Sequence, residues 1–272
     1  MRRRHIPGEG ARGARRRRWQ DLREQRRRGI FLLPSLLTTG NLFCGFLALI
    51  LTTQRRFTEA AVAVLVAMVL DLLDGKVARL TKTASQFGVE FDSLADVVSF
   101  CVAPAFMLYN LALAPLGRAA WLGAFLYVIC GALRLARFNV YTGVVDRRYF
   151  VGLPTPAAAG MVVAVILLFD GEETLERWQA GAIAVGTYIV ALLMVSTFRY
   201  WSFKEIDFAR RRPVGLLLLV VLGVLIVATH PQWFLLALFS AYLLSGPTPP
   251  VGAPSRGRRA GGQGAPGRAL TG

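Results

Sequence analysis

The sequence predicts an all-α integral membrane protein, a bundle of about eight transmembrane helices. Three observations lead there. Of its 272 residues, 54% are hydrophobic and only 18% charged, too apolar a balance for a soluble domain of this size. Apolar runs long enough to cross a bilayer recur along the chain. Lys and Arg, the source of a formal net charge of +16, gather in alternate segments between those runs.

Residues 1–30 form a first unit, a basic cytoplasmic tail or interfacial helix, since twelve of the 32 Lys and Arg precede residue 29. Its stretch "RRRRWQDLREQRRR", 15–28, suits a helix on anionic headgroups with Trp19 and Leu22 at the interface, or a tail that only sets topology. The segment is too long and too charged for a secretory leader and lacks a cleavage site, so the first apolar run is expected to stay as a helix. A transmembrane domain, 31–245, holds apolar runs at 32–53, 57–74, 92–114, 119–138, 154–170, 178–198, 213–229 and 231–245. Only His230 and Pro231 separate the last two, and the final run is short, which leaves a tilted span or a tight hairpin open. Residues 246–272, rich in Pro, Gly and Ala, are expected to be a disordered cytoplasmic tail.

With a cytoplasmic N-terminus, the inner segments 1–31, 75–91, 134–153, 199–212 and 246–272 carry 28 of the 32 basic residues. Arg55, Arg56, Arg118 and Arg177 remain outside, as does the acidic loop "DGEETLERW" that starts at Asp170. The positive-inside rule then places both termini in the cytoplasm of a multi-pass protein of the cell membrane. Charge spread in this way marks topology and excludes a nucleic-acid-binding face. Cys44, Cys101 and Cys130 sit singly in apolar runs and read as core residues. The two histidines, His5 and His230, are far apart, so histidine chemistry is not expected.

The chemistry lies in "DLLDGKVARLTKTASQFGVEFDSLAD", 71–96. Residues three or four apart share a helix face, so Asp71, Asp74, Gly75 and Ala78 line one stripe at the inner end of the second run. Gly88, Asp92 and Asp96 line another at the start of the third. The short connection makes the two helices antiparallel neighbours, which brings both stripes to one depth at the cytoplasmic face. Converging carboxylates repel unless a cation joins them. Oxygen-only donors suit Mg²⁺, Mn²⁺ or Ca²⁺, one ion or two, and magnesium leaves positions open for phosphate oxygens. Gly75 and Ala78 leave room beside the acids, and Arg79 supplies a cation matched to phosphate. Together these describe a diphosphate site. Acids solvated at helix ends, or paired with Lys76, Arg79 and Lys82, are the plainer alternative, but four at this spacing with small residues between them argue against it.

The pattern Asp71-x2-Asp74-Gly75-x2-Ala78-Arg79-x8-Gly88-x3-Asp92-x3-Asp96 resembles, without departure, the signature of the CDP-alcohol phosphatidyltransferases. That resemblance implies a membrane enzyme with a cytoplasmic-facing active site, which cleaves a CDP-linked donor, transfers its phosphoryl-alcohol part to a hydroxyl and releases CMP. It implies that Asp71, Asp74, Asp92 and Asp96 hold two divalent ions, Mg²⁺ or Mn²⁺, with Asp96 also the general base. Gly75, Ala78, Arg79 and Gly88 would shape the nucleotide and diphosphate pocket. A homodimer is likewise implied.

Flanking stretches "LPSLLTTGNLFCGF" (33–46), "FGVEFDSLADVVSFCVAPA" (87–105), "CGALRLARFNV" (130–140) and "GLPTPAAAG" (152–160) are similar to the phosphatidylserine synthase branch of that family. The expected substrates are then CDP-diacylglycerol and L-serine, with membrane lipids around them. Arg134 and Arg137 are candidates for the acceptor's carboxylate or the donor's phosphate, and Asn139, Asn41, Ser99 and Thr155 for further polar contacts. Pro154 and Pro156 are expected to set the start of the fifth span. Glycerol 3-phosphate or inositol phosphate as acceptor is the nearest alternative. A divalent-cation transporter is a remote one, because transport needs polar groups through the membrane depth and these cluster at one face.

Overall fold

The computed structural model describes residues 33–81, 85–141, 149–169, 175–201 and 231–246. Helix α1, Leu33–Thr53, leads through a tight turn with Arg55 at φ 62° into α2, Phe57–Thr81. Glu59 in the first turn of α2 pairs with Arg56. The third helical stretch, Gln86–Leu116, is continuous but not uniform. It comprises α3 (Gln86–Asp96), a π-helical turn (Val97–Val102), α4 (Ala103–Leu108), a second π turn (Tyr109–Leu113) and a closing 3-10 turn (Ala114–Leu116). Next come α5 (Arg118–Tyr141), α6 (Thr155–Phe169), α7 (Arg177–Val195) and α8 (Pro231–Ser245).

Four of these stretches are long and apolar enough to cross a membrane: Leu33–Thr53, Gln86–Leu116, Arg118–Val140 and Arg177–Val195. Two apolar helices, α6 and α8, are shorter at 15 residues each. Helix α2 has the length, at 25 residues, but carries Glu59, Asp71, Asp74 and Lys76. The charges that make it interesting also make it a poor membrane span by composition. The expected run 213–229 and the tails 1–30 and 247–272 lie outside the described residues.

The fold is all-α in class, as expected, with one addition: two three-residue strands, β1 (Tyr149–Val151) and β2 (Arg199–Trp201), pair antiparallel, Phe150 opposite Tyr200. The pairing ties the segment before α6 to the one after α7, and Gly152 N–H and Leu153 N–H extend it to the carbonyls of Phe198 and Leu193 at 2.9 and 3.0 Å. Gly152 stands at φ +82°, and a Cβ there would lie 2.3 Å from the Met194 carbonyl oxygen, so only glycine fits. The two acidic stripes lie on helix as expected: α2 runs past Ala78 to Thr81, and α3 starts at Gln86.

Small residues let the helices approach. Ala60, Ala61, Val64 and Ala67 of α2 are buried, as are Ala158, Ala159, Val162 and Val163 of α6, and the two helices pack together. Helix α8 lays the Phe239 ring on Gly160 of α6, where a Cβ would stand 2.0 Å from it. Helix α5 packs along α7. Large apolar side chains including Phe43, Phe46, Val62, Val66, Val69 and Leu122 stay exposed, as suits a surface bathed in lipid.

The π turn after Asp96 is the local device that shapes the site. The turn carries Ser99 against α1 one turn after Asp96, which α1 also engages. Pro104 has no N–H for a carbonyl one turn back, and the fully buried Tyr127 hydroxyl donates to Phe100 O at 3.2 Å. On α1, Gly45 meets this turn so closely that a Cβ would lie 2.3 Å from Ser99 Oγ and 2.7 Å from Ser99 Cα. Gly181 of α7, by contrast, has no such neighbour within 4 Å. Gly45→Ala is therefore expected to destabilise the detergent-solubilised protein by about 1–3 kcal/mol, read as a lowered thermal midpoint, with Gly181→Ala nearly neutral. Equal midpoints for the two variants would refute this account of the α1 contact.

Candidate active site

Helix α2 delivers Asp71 and Asp74 one turn apart. The start of α3 is set by Ser85, whose hydroxyl accepts the Gly88 N–H at 3.0 Å and caps the helix, and Asp92 and Asp96 come later on α3, one turn apart. The carboxylate oxygens of Asp71, Asp74 and Asp92 come within 4.8 Å of one another. Asp74 is buried, and Asp71 and Asp92 are half-buried. Asp96 is 8% exposed and lies within electrostatic reach of Asp71 and Asp92, although it stands outside the tight trio.

Helix α1 holds both stripes in place. Thr38 Oγ1 donates to Asp74 Oδ2 at 2.9 Å, and Asn41 Nδ2 donates to Asp96 Oδ1 at 3.1 Å, both bonds being buried. Residues 38 and 41 are three apart and share a face, so one stripe of α1 grips one carboxylate from each of the two acidic helices. Ser99 Oγ then donates to the Asn41 carbonyl at 2.9 Å, which fixes α1 against the π turn.

The trio fits a divalent cation. Its donors are all carboxylate oxygens, the set that hard cations prefer, and Asp92 Oδ1 is buried with no hydrogen-bond partner. Among the described residues the one ion pair is Arg56–Glu59, and none of their cations pairs with the cluster. Beside it, a Cβ on Gly75 would meet nothing within 4 Å, and the half-buried Ala78 adds only a methyl group. Arg79 is exposed one turn further along α2, its Nε donating to Gly75 O at 2.9 Å. Gly88 has a more local reason to be small, since a Cβ would press to 3.2 Å from its Ser85 cap.

The outer candidates divide. Arg134 is buried, 9% exposed, and its Nη1 donates to Thr155 Oγ1 at 3.3 Å. Thr155 opens α6 between Pro154, whose carbonyl takes the first helical N–H, and Pro156. Arg137, one turn further along α5, is exposed. Asn139 Nδ2 donates to Ser93 Oγ at 2.9 Å and to Glu90 Oε2 at 3.4 Å, so it braces α5 against α3 away from the aspartates. Ser99 serves helix packing through the Asn41 carbonyl. Sequence reasoning missed Thr38, although the "TTGN" run puts it on the face of Asn41, and it missed Glu90 and Ser93 as partners of Asn139.

The sequence model of the CDP-alcohol phosphatidyltransferase family matches residues 31–198. A protein of Helicobacter pylori strain 26695, a CDP-diacylglycerol--serine O-phosphatidyltransferase, is 37% identical over 217 residues, covering 80% of this chain and 90% of its own. Proteins of the same name from Methanocaldococcus jannaschii and Bacillus subtilis are 36% and 37% identical, over 71% and 64% of this chain and 86% and 92% of theirs. With membrane-length helices around an acidic trio that carries the full signature spacing, and with most of its length aligned to such relatives, the chain belongs to the CDP-alcohol phosphatidyltransferase family.

Proposed function

We propose that this membrane protein transfers the phosphatidyl group of CDP-diacylglycerol to the hydroxyl of L-serine, giving phosphatidylserine and CMP. The observation that carries the reading is the convergence of Asp71, Asp74 and Asp92 within 4.8 Å, with Asp96 gripped beside them. The relatives' shared name supports serine as acceptor. The same four aspartates would hold two divalent ions, Mg²⁺ or Mn²⁺, whose charge offsets that of the diphosphate in the manner of two-metal sites. Arg79 reaches from the open space beside Gly75 and Ala78 to a phosphate oxygen, and Gly88 keeps the start of α3 tight at the pocket edge.

The serine hydroxyl oxygen attacks the phosphorus that bears diacylglycerol, in line with the bond to CMP. As the new P–O bond forms, Asp96 takes the hydroxyl proton and CMP leaves with the electron pair of the broken bond. Asn41 engages Asp96 Oδ1 and so orients the carboxylate to receive the proton on Oδ2. Eight spans in a domain of residues 31–245, with both flanking tails and the site in the cytoplasm, accord with 28 of 32 basic residues on that side. A homodimer is the assembly the family resemblance implies.

Membranes carrying the protein and given CDP-diacylglycerol should make lipid from radiolabelled serine, and far less from glycerol 3-phosphate or inositol phosphate; product from either of the latter alone would overturn the acceptor. Asp96→Asn should cut serine-dependent CMP release at least about a hundredfold, the usual scale of a lost general base, and a loss that persists at saturating Mn²⁺ separates that role from its share in holding metal. Near-normal turnover would remove Asp96 from that role. Asp92→Asn should instead raise the Mn²⁺ concentration for half-maximal activity by about tenfold or more, as expected when a carboxylate donor is lost.

A further inference from the structure

The end of α2 has two sides of different chemistry. At about 100° per residue, Leu73, Lys76 and Leu80 share a face roughly opposite the one that carries Asp71, Asp74 and Ala78. All three are exposed, Leu80 at 83%, and no described carboxylate pairs with Lys76. An ammonium set between two bare leucines on a lipid-bathed helix reaches along its own methylenes to the headgroups, where phosphate is the counterion at hand.

Helix α1 brings a second cationic element to the same flank. Thr38 holds Asp74, and a Cβ on Gly40 would stand 3.2 Å from Leu70, so α1 and α2 run antiparallel with the start of one beside the end of the other. The exposed Leu33 and Leu36 therefore come level with the turn from Lys76 to Leu80. Residues 1–30, directly before α1, hold twelve arginines against Glu9, Asp21 and Glu24. No other inner segment carries more than five basic residues, so this one holds far more charge than the others use to mark topology. Arg28 is five residues from Leu33, a reach of at most about 17 Å, which keeps the tract near the membrane surface and near the aspartates. Trp19 within it is of the residue type that settles at headgroup depth.

We propose that Lys76 and the arginine tract 15–28 form a binding flank for anionic lipid headgroups beside the active site, which gathers the donor at the enzyme and makes turnover respond to the charge of the leaflet. This rests on the reaction proposed above for the identity of the donor. The flank is separate from the catalytic pocket, because Lys76 lies across α2 from the aspartates, and its ligand is the phosphate of a lipid rather than cytidine. Arginines also suit nucleic acid, but these are tethered where lipid phosphates are the polyanion in excess. A local excess of donor lowers its KM and leaves kcat alone, and salt screens the effect.

The test uses the full-length protein in phosphatidylcholine vesicles, with CMP release followed against the surface fraction of CDP-diacylglycerol at saturating serine and Mn²⁺. For the unaltered protein, raising KCl from about 0.05 to 0.5 M should raise the donor KM about fivefold or more with kcat unchanged. Phosphatidylglycerol at about a third of the lipid should raise it likewise, by competing for the flank. Replacing the arginines at 15–18 and 26–28 by glutamine, together with Lys76→Gln, should raise the donor KM by a similar factor at low salt and abolish both responses. A tract with the same residues in shuffled order should behave as the unaltered one. Equal KM and equal salt response in the unaltered and charge-neutral proteins overturn the flank. An oligonucleotide that binds the tract, while the donor KM ignores salt and phosphatidylglycerol, overturns it as well. Should the multiple variant fail to insert, Lys76→Gln alone decides: a donor KM about two- to fivefold higher at low salt supports the proposal, and an unchanged one overturns it. Failure of serine as acceptor would instead sink the reaction proposed above, and the same KM comparison, run with the acceptor that works, would still decide the flank.

Discussion

Three carboxylates do not settle within 4.8 Å of one another unless the surrounding protein compels them. Ionised, each pair at that separation repels by about 3–4 kcal/mol at an effective dielectric constant near 20. The compulsion comes from a helix that contributes no acid. Thr38 and Asn41 of α1 each donate to a carboxylate on a different neighbour, and Ser99 returns a bond to the α1 backbone. The close approach at Gly45 makes those bonds short enough to form. Take α1 away and α2 and α3 have every electrostatic reason to part.

Much of this was legible in the residues. Some bounds fell close to the observed helices, 231–245 on α8 and 32–53 on α1, whereas 57–74 stops seven residues before the end of α2 and 92–114 starts six residues after the third helical stretch does. The facing stripes of Asp71, Asp74 and Asp92 are a matter of helical periodicity alone. What periodicity missed is also instructive. A hydropathy window stops at Asp74 because charge ends an apolar run, whereas the backbone has no reason to stop: the residues from Gly75 to Thr81 include good helix formers and no proline. The π turns are invisible to any fixed 100° repeat. Strands of three residues are too short to leave an alternation to read.

Among the site candidates, those on α2 and α3 were found by their spacing with one another. The outer polar residues could not be sorted that way, because their partners come from distant segments: Asn41 with Asp96, Asn139 with Ser93, Arg134 with Thr155. A sequence shows which residues could donate. Only the packing of helices separated by 21 to 55 residues shows what they donate to.

The continuation of α2 past residue 74 has a consequence for how a lipid substrate is handled. Seven further residues at 1.5 Å each carry α2 about 10 Å past Asp74, which on the proposed topology takes its end, with Arg79, from the hydrocarbon towards the headgroup layer. On that proposed topology the aspartates fall where those two layers meet. A donor with its acyl tails in one layer and its diphosphate in the other is then met at its own depth. Such a catalyst has no need to lift its substrate into water, and arrival of the donor becomes a matter of sideways diffusion within a single leaflet.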